Sequence, residues 1–355
     1  MKLAVIALTE NGAEISLKLK KLEEIDSEYK IDLYFNEKIE RKEGRTFNSL
    51  KSLIKKIFFT CDGLIMVMAL GIVVRVISPY LQNKKKDPAV ITMDEKGENV
   101  ISTLSGHLGG ANELTQLIAE LLQANPVITT ASDTQNKMSF DMIAKKYNME
   151  MVPFENLTGA NSALVNNREI NLYAEPEHKD MLSGLIEYVN FLPLSELEKG
   201  IAVKEVDFSV IISNDSLDIK KDQLQLIPRN LVIGIGCRKG VEKEQIEKAV
   251  KRGLALTGKS IKSIKNIATI DLKKEERGIL EFSRKLEVPV DIISRQQIQE
   301  CDFEYTKSSF VKEKIGVGGV CEPAAMISTQ KGKLILEKTI VDQVTVAIVE
   351  KENYI

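Results

Sequence analysis

The sequence predicts an α/β fold in three domains: a Rossmann-like N-terminal domain and an α/β C-terminal domain flanking a smaller α/β middle domain. Short apolar runs of strand length alternate along the chain with stretches whose apolar residues recur at helical spacing. The 355 residues exceed one ordinary core, at about 100–200 residues per domain. Several strand-like runs also empty into glycine-rich bends that lead straight into helices, the connection that open α/β sheets place beside their ligands. The expected domains are residues 1–130, 131–229 and 230–355.

Residues 2–8 are a short apolar first strand, and Leu50, Leu53, Ile54, Ile57 and Phe58 then fall on one face of a helix that Cys61-Asp62-Gly63 ends. A buried strand over 64–70 opens at Gly71 into IVVRVISPYL, where Arg75 interrupts an apolar run and so requires a partner or a ligand. Residues 89–93 and 100–104 form a hairpin across Asp94–Gly97. Its second strand delivers the chain into Ser105-Gly-His-Leu-Gly-Gly-Ala-Asn112, which sets one of only two histidines in a glycine bend. Gly106, Gly109 and Gly110 let backbone amides approach a ligand, and the helix over 112–123, apolar at Leu114, Leu117, Ile118, Leu121 and Leu122, adds its positive end. After Asn125-Pro126 a strand over 127–130 exits at Ser132 and Asp133. Strand exits gather on one edge of an open sheet, so Arg75, His107 and Asp133 are expected to converge.

The middle stretch carries helices near 140–146 and 181–189 and a strand near 210–213, without a chemical cluster. His178, in a polar run, reads as a solvated surface residue. The third domain opens with the strand LVIGIG, the turn Cys237-Arg-Lys-Gly240 and a helix over 241–254, a plausible anion cradle. Strands over 267–270 and 288–293 flank a helix over 274–286; the bend Gly316-Val-Gly-Gly-Val-Cys-Glu-Pro323 starts another helix; strands over 333–337 and 344–349 close the domain. Gly253-Leu-Ala-Leu-Thr-Gly-Lys-Ser260 spells a phosphate loop, but a helix precedes it and a strand follows, the reverse of the required order.

Hydrophobic residues at 43% and charged residues at 28% suit a globular chain able to bury sizeable cores. The 49 basic and 51 acidic side chains nearly cancel, which argues against holding nucleic acid by bulk charge. No apolar run approaches the roughly 18 residues that span a membrane, and MKLAVIALTENG lacks the pattern of a signal peptide, so a cytoplasmic location is expected. Cys61, Cys237, Cys301 and Cys321 form no C-x-x-C pair, and no metal site is expected from them.

VVRVISPYL, LSGHLGGAN and PVITTASD, followed by GIGCRKG and GVGGVCEPAA, resemble in their order the cobalamin-biosynthesis G family, over essentially the whole chain and most strongly in its first and third domains. The resemblance implies an enzyme of the anaerobic, early-cobalt route to vitamin B12 that acts on cobalt-precorrin-5A. Water opens a δ-lactone on the contracted macrocycle, two carbons leave as acetaldehyde, and cobalt-precorrin-5B results. The cobalt arrives with the substrate, so no separate cofactor is implied. Neither nucleic acid nor membrane is an implied partner; a homo-oligomer and transient contact with neighbouring pathway enzymes stay open.

Such chemistry needs a base for water, donors for the oxyanion and proton transfer at the departing hydroxyl-bearing carbon. His107 is the histidine candidate for general base, Asp133 for orienting its ring, and the amides around Gly109 and Gly110 for the oxyanion. Glu322 either carries a proton or caps a turn, and Ser105, lacking a G-x-S-x-G elbow, reads as a capping residue. A carboxylate-edged macrocycle calls for distributed cations and helix N-termini. Arg75, Arg238 and Lys239, with Ser105, Gly106, Asn112, Cys237, Gly318 and Gly319, make up the expected binding surface, in a cleft between the first and third domains. Two other classes stand beside the hydrolase: a non-catalytic carrier of cobalt-corrinoid intermediates, and a nucleotide-dependent transferase resting on the phosphate-loop spelling.

Overall fold

The structure is a computed structural model that describes residues 1–135, 137–198 and 206–352. The described residues form three sheets of seven, five and five strands, as an α/β chain should, and divide into two compact units, Met1–Met142 and Ile143–Ile355. The first unit thus runs past the expected boundary at residue 130, and the second holds two sheets.

The first unit is built on β1 (Lys2–Ala7), β2 (Lys30–Asn36), β3 (Arg45–Phe47), β4 (Gly63–Val67), β5 (Ala89–Met93), β6 (Asn99–Leu104) and β7 (Asn125–Val127), in the order β3-β2-β1-β4-β5-β6-β7. Both faces are covered. Leu3, Val5, Ile65, Val67, Ile91 and Met93 pack with the helices Glu10–Lys18 and Ala111–Leu122, while Ala4, Ile6, Leu64, Met66 and Val90 pack with Leu50–Ile57 and Leu70–Ile77. Alternate strand residues therefore enter separate cores, which is why these strands read as unbroken apolar runs.

Two expectations change here. The strand expected over 64–70 stops at Val67, and Leu70–Ile77 is a helix, with Val73, Val76 and Ile77 buried while Leu70, Ile72 and Val74 are apolar yet exposed. Apolar residues on both faces erased the helical period. The strand expected over 127–130 is already complete at Val127.

All pairings in this sheet are parallel except β5 with β6, where Val90 lies opposite Leu104 and Met93 opposite Val100. The chain therefore leaves β6 at the edge where β5 begins, whereas β4 delivers its helix at the other edge.

In the second unit β8 (Met149–Val152), β9 (Ile170–Ala174), β10 (Asn190–Pro193), β11 (Phe208–Ile212) and β12 (Gln223–Pro228) form one sheet, ordered β10-β9-β11-β12-β8 with β8 antiparallel. The other joins the parallel strands β13 (Leu231–Cys237), β14 (Ile264–Ile270) and β15 (Val290–Ile293) to an antiparallel hairpin of β16 (Gly332–Val341) and β17 (Val344–Lys351). The helix expected over 241–254 spans Lys243–Thr257, begun by a reciprocal Glu242/Gln245 capping box and ended by Gly258 at φ 69°.

The residue after that stop, Lys259, is paired within the chain. Its ammonium donates to Asn214 Oδ1 at 2.6 Å and to Asp215 Oδ1 at 2.8 Å, tying the exit of β11 to the end of the helix. His178 is a further correction: only 6% exposed, it closes the short 3-10 turn Pro176–His178, and burial lowers its pKa despite the neighbouring Glu177.

Gly234 and Gly258 separate two reasons for glycine. A Cβ on Gly234 would lie 1.8 Å from the carbonyl oxygen of Cys321, in the helix Cys321–Thr329 packed on β13, whereas one on Gly258 meets no atom within 4 Å. Gly234→Ala should cost about 3 kcal/mol or more through displacement of that helix, and Gly258→Ala only about 1–2 kcal/mol through its positive φ. Denaturant unfolding of the two variants checks the ordering.

Candidate functional site

The glycine bend is closed largely by contacts within itself. Ser105 takes a left-handed conformation at φ 59°, and its hydroxyl donates to Asp87 O at 2.9 Å. A Cβ on Gly109 would stand 2.4 Å from the Ser105 Cβ, and one on Gly106 would stand 2.7 Å from Asn112 Oδ1. Gly110, at φ 83°, turns the chain into the helix Ala111–Leu122, which begins one residue before its expected start. The amides of Gly110, Ala111 and Asn112 donate to the carbonyls of His107, Ser105 and Gly106 at 3.0–3.1 Å. Of the two amides expected to serve an oxyanion, that of Gly110 is committed inside the bend, while that of Gly109 has no acceptor among the described residues.

This bend aims the His107 ring between two carboxylates. Nε2 lies 2.7 Å from Asp133 Oδ2 and Nδ1 lies 3.0 Å from Asp141 Oδ2. Ser132 Oγ stands 3.2 Å from Nε2 and Ser139 Oγ stands 3.3 Å from Nδ1. Asn112, buried in the first helical turn, donates to the same Asp133 oxygen at 2.9 Å and to Thr130 Oγ1 at 3.1 Å, while its own Oδ1 accepts from Ser102. Asp133 and His107 thus meet as the sequence suggested, with Asn112 fixing the carboxylate.

Burial of the ring, whose side chain is 10% exposed, disfavours its charge, but the hydrogen bonds and charges of Asp141 and Asp133 outweigh that and raise its pKa above the ordinary 6.5. Two ionised carboxylates each want an N–H, and only imidazolium has one at both nitrogens. The Asp141 side chain is 7% exposed and that of Asp133 24%, so the two carboxylates are unevenly buried.

His107 and Asp141 line a cleft of about 420 Å³, whose wall also includes Thr103, Ser105, Thr130 and Lys84. Asp141, in the first turn of the helix Phe140–Lys146, escaped the sequence reading. An acidic residue in a first helical turn is ordinary dipole chemistry, and the boundary placed at residue 130 put it in another domain.

Arg75 does not join them. It lies exposed on Leu70–Ile77, folds its guanidinium back onto Gly71 O at 2.9 Å, and belongs to a helix on the opposite face of the sheet from Ala111–Leu122. The reversal of β6 separates the two strand exits that were expected to converge.

In the second unit the remaining candidates cluster around the end of β13. A Cβ on Gly236 would lie 3.3 Å from the Cβ of Val320, so the two glycine motifs are neighbours there. The turn after Cys237 is held by a carboxylate of the chain itself, since the Gly240 amide donates to Glu276 Oε1 at 2.8 Å. The Arg238 amide donates to Gln343 O, and Lys239 is exposed. Burial pushes the Cys237 thiol up to about 11, far from a reactive thiolate. Glu322, 2% exposed, accepts from Thr306 N, Thr306 Oγ1 and Lys338 N at 2.5–3.0 Å, the turn-capping side of its two expected roles. Gly318 and Gly319 pack on Lys307 and Tyr305. No group of three or more His, Cys, Asp or Glu side chains among the described residues is arranged to hold a metal ion, and no described helix is long and apolar enough to cross a membrane.

Fold and site together define an α/β protein with a largely buried histidine held between two carboxylates at a sheet edge. Comparison with known proteins makes this specific. Residues 52–133 match the family described as Cobalamin synthesis G N-terminal, 138–228 the Cobalamin biosynthesis central region, and 231–349 the Cobalamin synthesis G C-terminus. The chain belongs to the cobalamin-biosynthesis G family. It is 34% identical to the Cobalt-precorrin-5A hydrolase of Priestia megaterium over 97% of this chain and 94% of that one. It is 32% identical to the protein of the same name from Salmonella typhimurium, over 83% of each chain.

The raised His107 pKa has a signed consequence for stability. A group whose folded pKa exceeds its unfolded value stabilises fully below the unfolded value, 6.5, and loses that contribution as pH rises through the folded one. The stability advantage of the wild-type protein over His107→Gln should therefore be larger at about pH 6 than at about pH 9. Urea unfolding of both proteins across that window checks it; an advantage that grows toward alkaline pH contradicts a charged ring.

Proposed function

We propose that the chain is a cobalt-precorrin-5A hydrolase. The relatives that match nearly its full length bear that name, and the single structural observation that carries the reading is the Asp141–His107–Asp133 arrangement beside an open cleft. The reaction is cobalt-precorrin-5A plus water giving cobalt-precorrin-5B and acetaldehyde, with a lactone C–O bond and then a carbon–carbon bond broken. The cobalt is part of the substrate, and the protein supplies proton transfer and binding.

In this reading the neutral form of the His107 ring accepts the proton of the attacking water, and the imidazolium so formed, held by Asp133 and Asp141, returns a proton to the alkoxide that lactone opening leaves on the two-carbon arm. The same unit then takes the proton of the hydroxyl on the departing two-carbon arm. The carbon–carbon electron pair passes to the macrocycle, acetaldehyde leaves, and a proton is returned to the ring carbon. Asp141 fixes the ring through Nδ1, so that Nε2 and Asp133 keep one orientation through both steps. The Gly109 amide supplies an oxyanion donor from the same bend. The cytoplasm is the protein's proposed location.

Acetaldehyde release from cobalt-precorrin-5A separates this enzyme from a carrier, which would bind the macrocycle stoichiometrically and release nothing. His107→Ala should lower kcat by about 10²–10⁴-fold while the protein still binds the macrocycle, and Asp141→Asn should lower kcat with little change in KM. An unchanged turnover in both variants would sink the assignment of the site.

A further inference from the structure

From the loop that faces His107 across its cleft, we infer that Lys84 is a specificity-determining residue, receiving a carboxylate from the edge of an anionic, carboxylate-fringed ligand. This rests on the hydrolase reading for the identity of the ligand, and on geometry for the site.

The cleft beside His107 is poor in positive charge. Asp141 lines it, Asp133 lies behind the ring, and Asp87 sits at the base of the facing loop. Lys84 is the cation among its lining residues apart from the imidazole itself, and it has no carboxylate partner among the described residues. A polycarboxylate approaching a histidine flanked by two aspartates meets like charge, so a compensating cation at the mouth decides whether it enters.

The loop that carries Lys84 is built to hold its position. Asp87, buried, accepts the Gln82 amide at both oxygens, at 2.9 and 3.2 Å, closing the loop at its base. Asn83 Oδ1 accepts the amides of Lys85 and Lys86 at 3.0 and 3.2 Å, and Asn83 O accepts those of Lys86 and Asp87. Ser105, the first residue of the glycine bend, donates its hydroxyl to Asp87 O at 2.9 Å. The loop and the bend that aims His107 are thus stitched to one another, which fixes where the loop backbone stands relative to that bend. Lys84 itself is left exposed and able to meet a ligand.

The test titrates cobalt uroporphyrin III, a stable carboxylate-rich tetrapyrrole, into wild type, K84E, K84R and, as a control on a remote exposed lysine, K38E, following the absorbance of the macrocycle. K84E should raise Kd about tenfold and flatten its dependence on salt, K84R should stay within about twofold of wild type, and K38E should match it. The KM for cobalt-precorrin-5A should rise in K84E in the same proportion. Wild-type affinity and KM in a folded K84E protein overturn the role of Lys84 and leave the hydrolase reading standing. Lys84-dependent binding of the probe by a wild-type protein that releases no acetaldehyde does the opposite.

Discussion

The site depends on one constraint: an imidazole cannot satisfy a carboxylate at each nitrogen unless it carries two N–H groups. His107 is in that position, at 2.7 and 3.0 Å from two aspartates. Much of the local structure serves to bring those carboxylates to one ring. The bend is folded tightly by Gly106 and Gly109, Asn112 reaches from the helix behind it to hold Asp133, and the Phe140–Lys146 helix presents Asp141 from its first turn. A wider bend, or a helix begun elsewhere, would leave one carboxylate buried without its partner, at a cost of several kcal/mol.

The antiparallel strand β6 decides which parts of the first unit take part. In a wholly parallel sheet every strand exit lies on one edge, and the expectation that Arg75 would meet His107 followed from that rule. The β5–β6 hairpin was legible from Asp94-Glu-Lys-Gly97 between two apolar runs, and its consequence for direction was available in the sequence. What hid the position of Arg75 was the helix Leu70–Ile77, whose apolar exposed face masked its period. His107, Asp133 and Asn112 were readable because glycine spacing and a strand exit mark them. Asp141 was not, because its partner lies 34 positions away and nothing local distinguishes it from an ordinary helix-starting acid.

The second unit shows the other use of glycine. GIGCRKG looks like an anion cradle in sequence, yet Gly234 is where the Cys321–Thr329 helix rests on β13, and Gly236 is where Val320 and Thr345 crowd the strand. Close packing of helix on sheet and close approach of backbone to ligand demand the same residue, so a glycine pattern alone does not tell them apart. The neighbours distinguish them. Around Gly240 the amide already has a carboxylate, Glu276, whose charged form is favoured against its burial by Lys273 and by that same amide.

Why would an enzyme for a carboxylate-rich macrocycle keep its histidine between two acids? Neutral imidazole alone would suit water activation near neutral pH. The proposed chemistry also needs protons delivered, first to an alkoxide and later to a ring carbon, and a ring whose pKa is raised by Asp141 and Asp133 against its own burial is a better proton reservoir than an unpartnered one. The same carboxylates repel the substrate, which places the burden of attraction on residues outside the clamp. The two carboxylates are unevenly placed: Asp141, 7% exposed, lines the cleft with His107, whereas Asp133, 24% exposed, is held by Asn112. On the proposed chemistry, proton storage, ring orientation and substrate attraction fall to different side chains around one glycine bend.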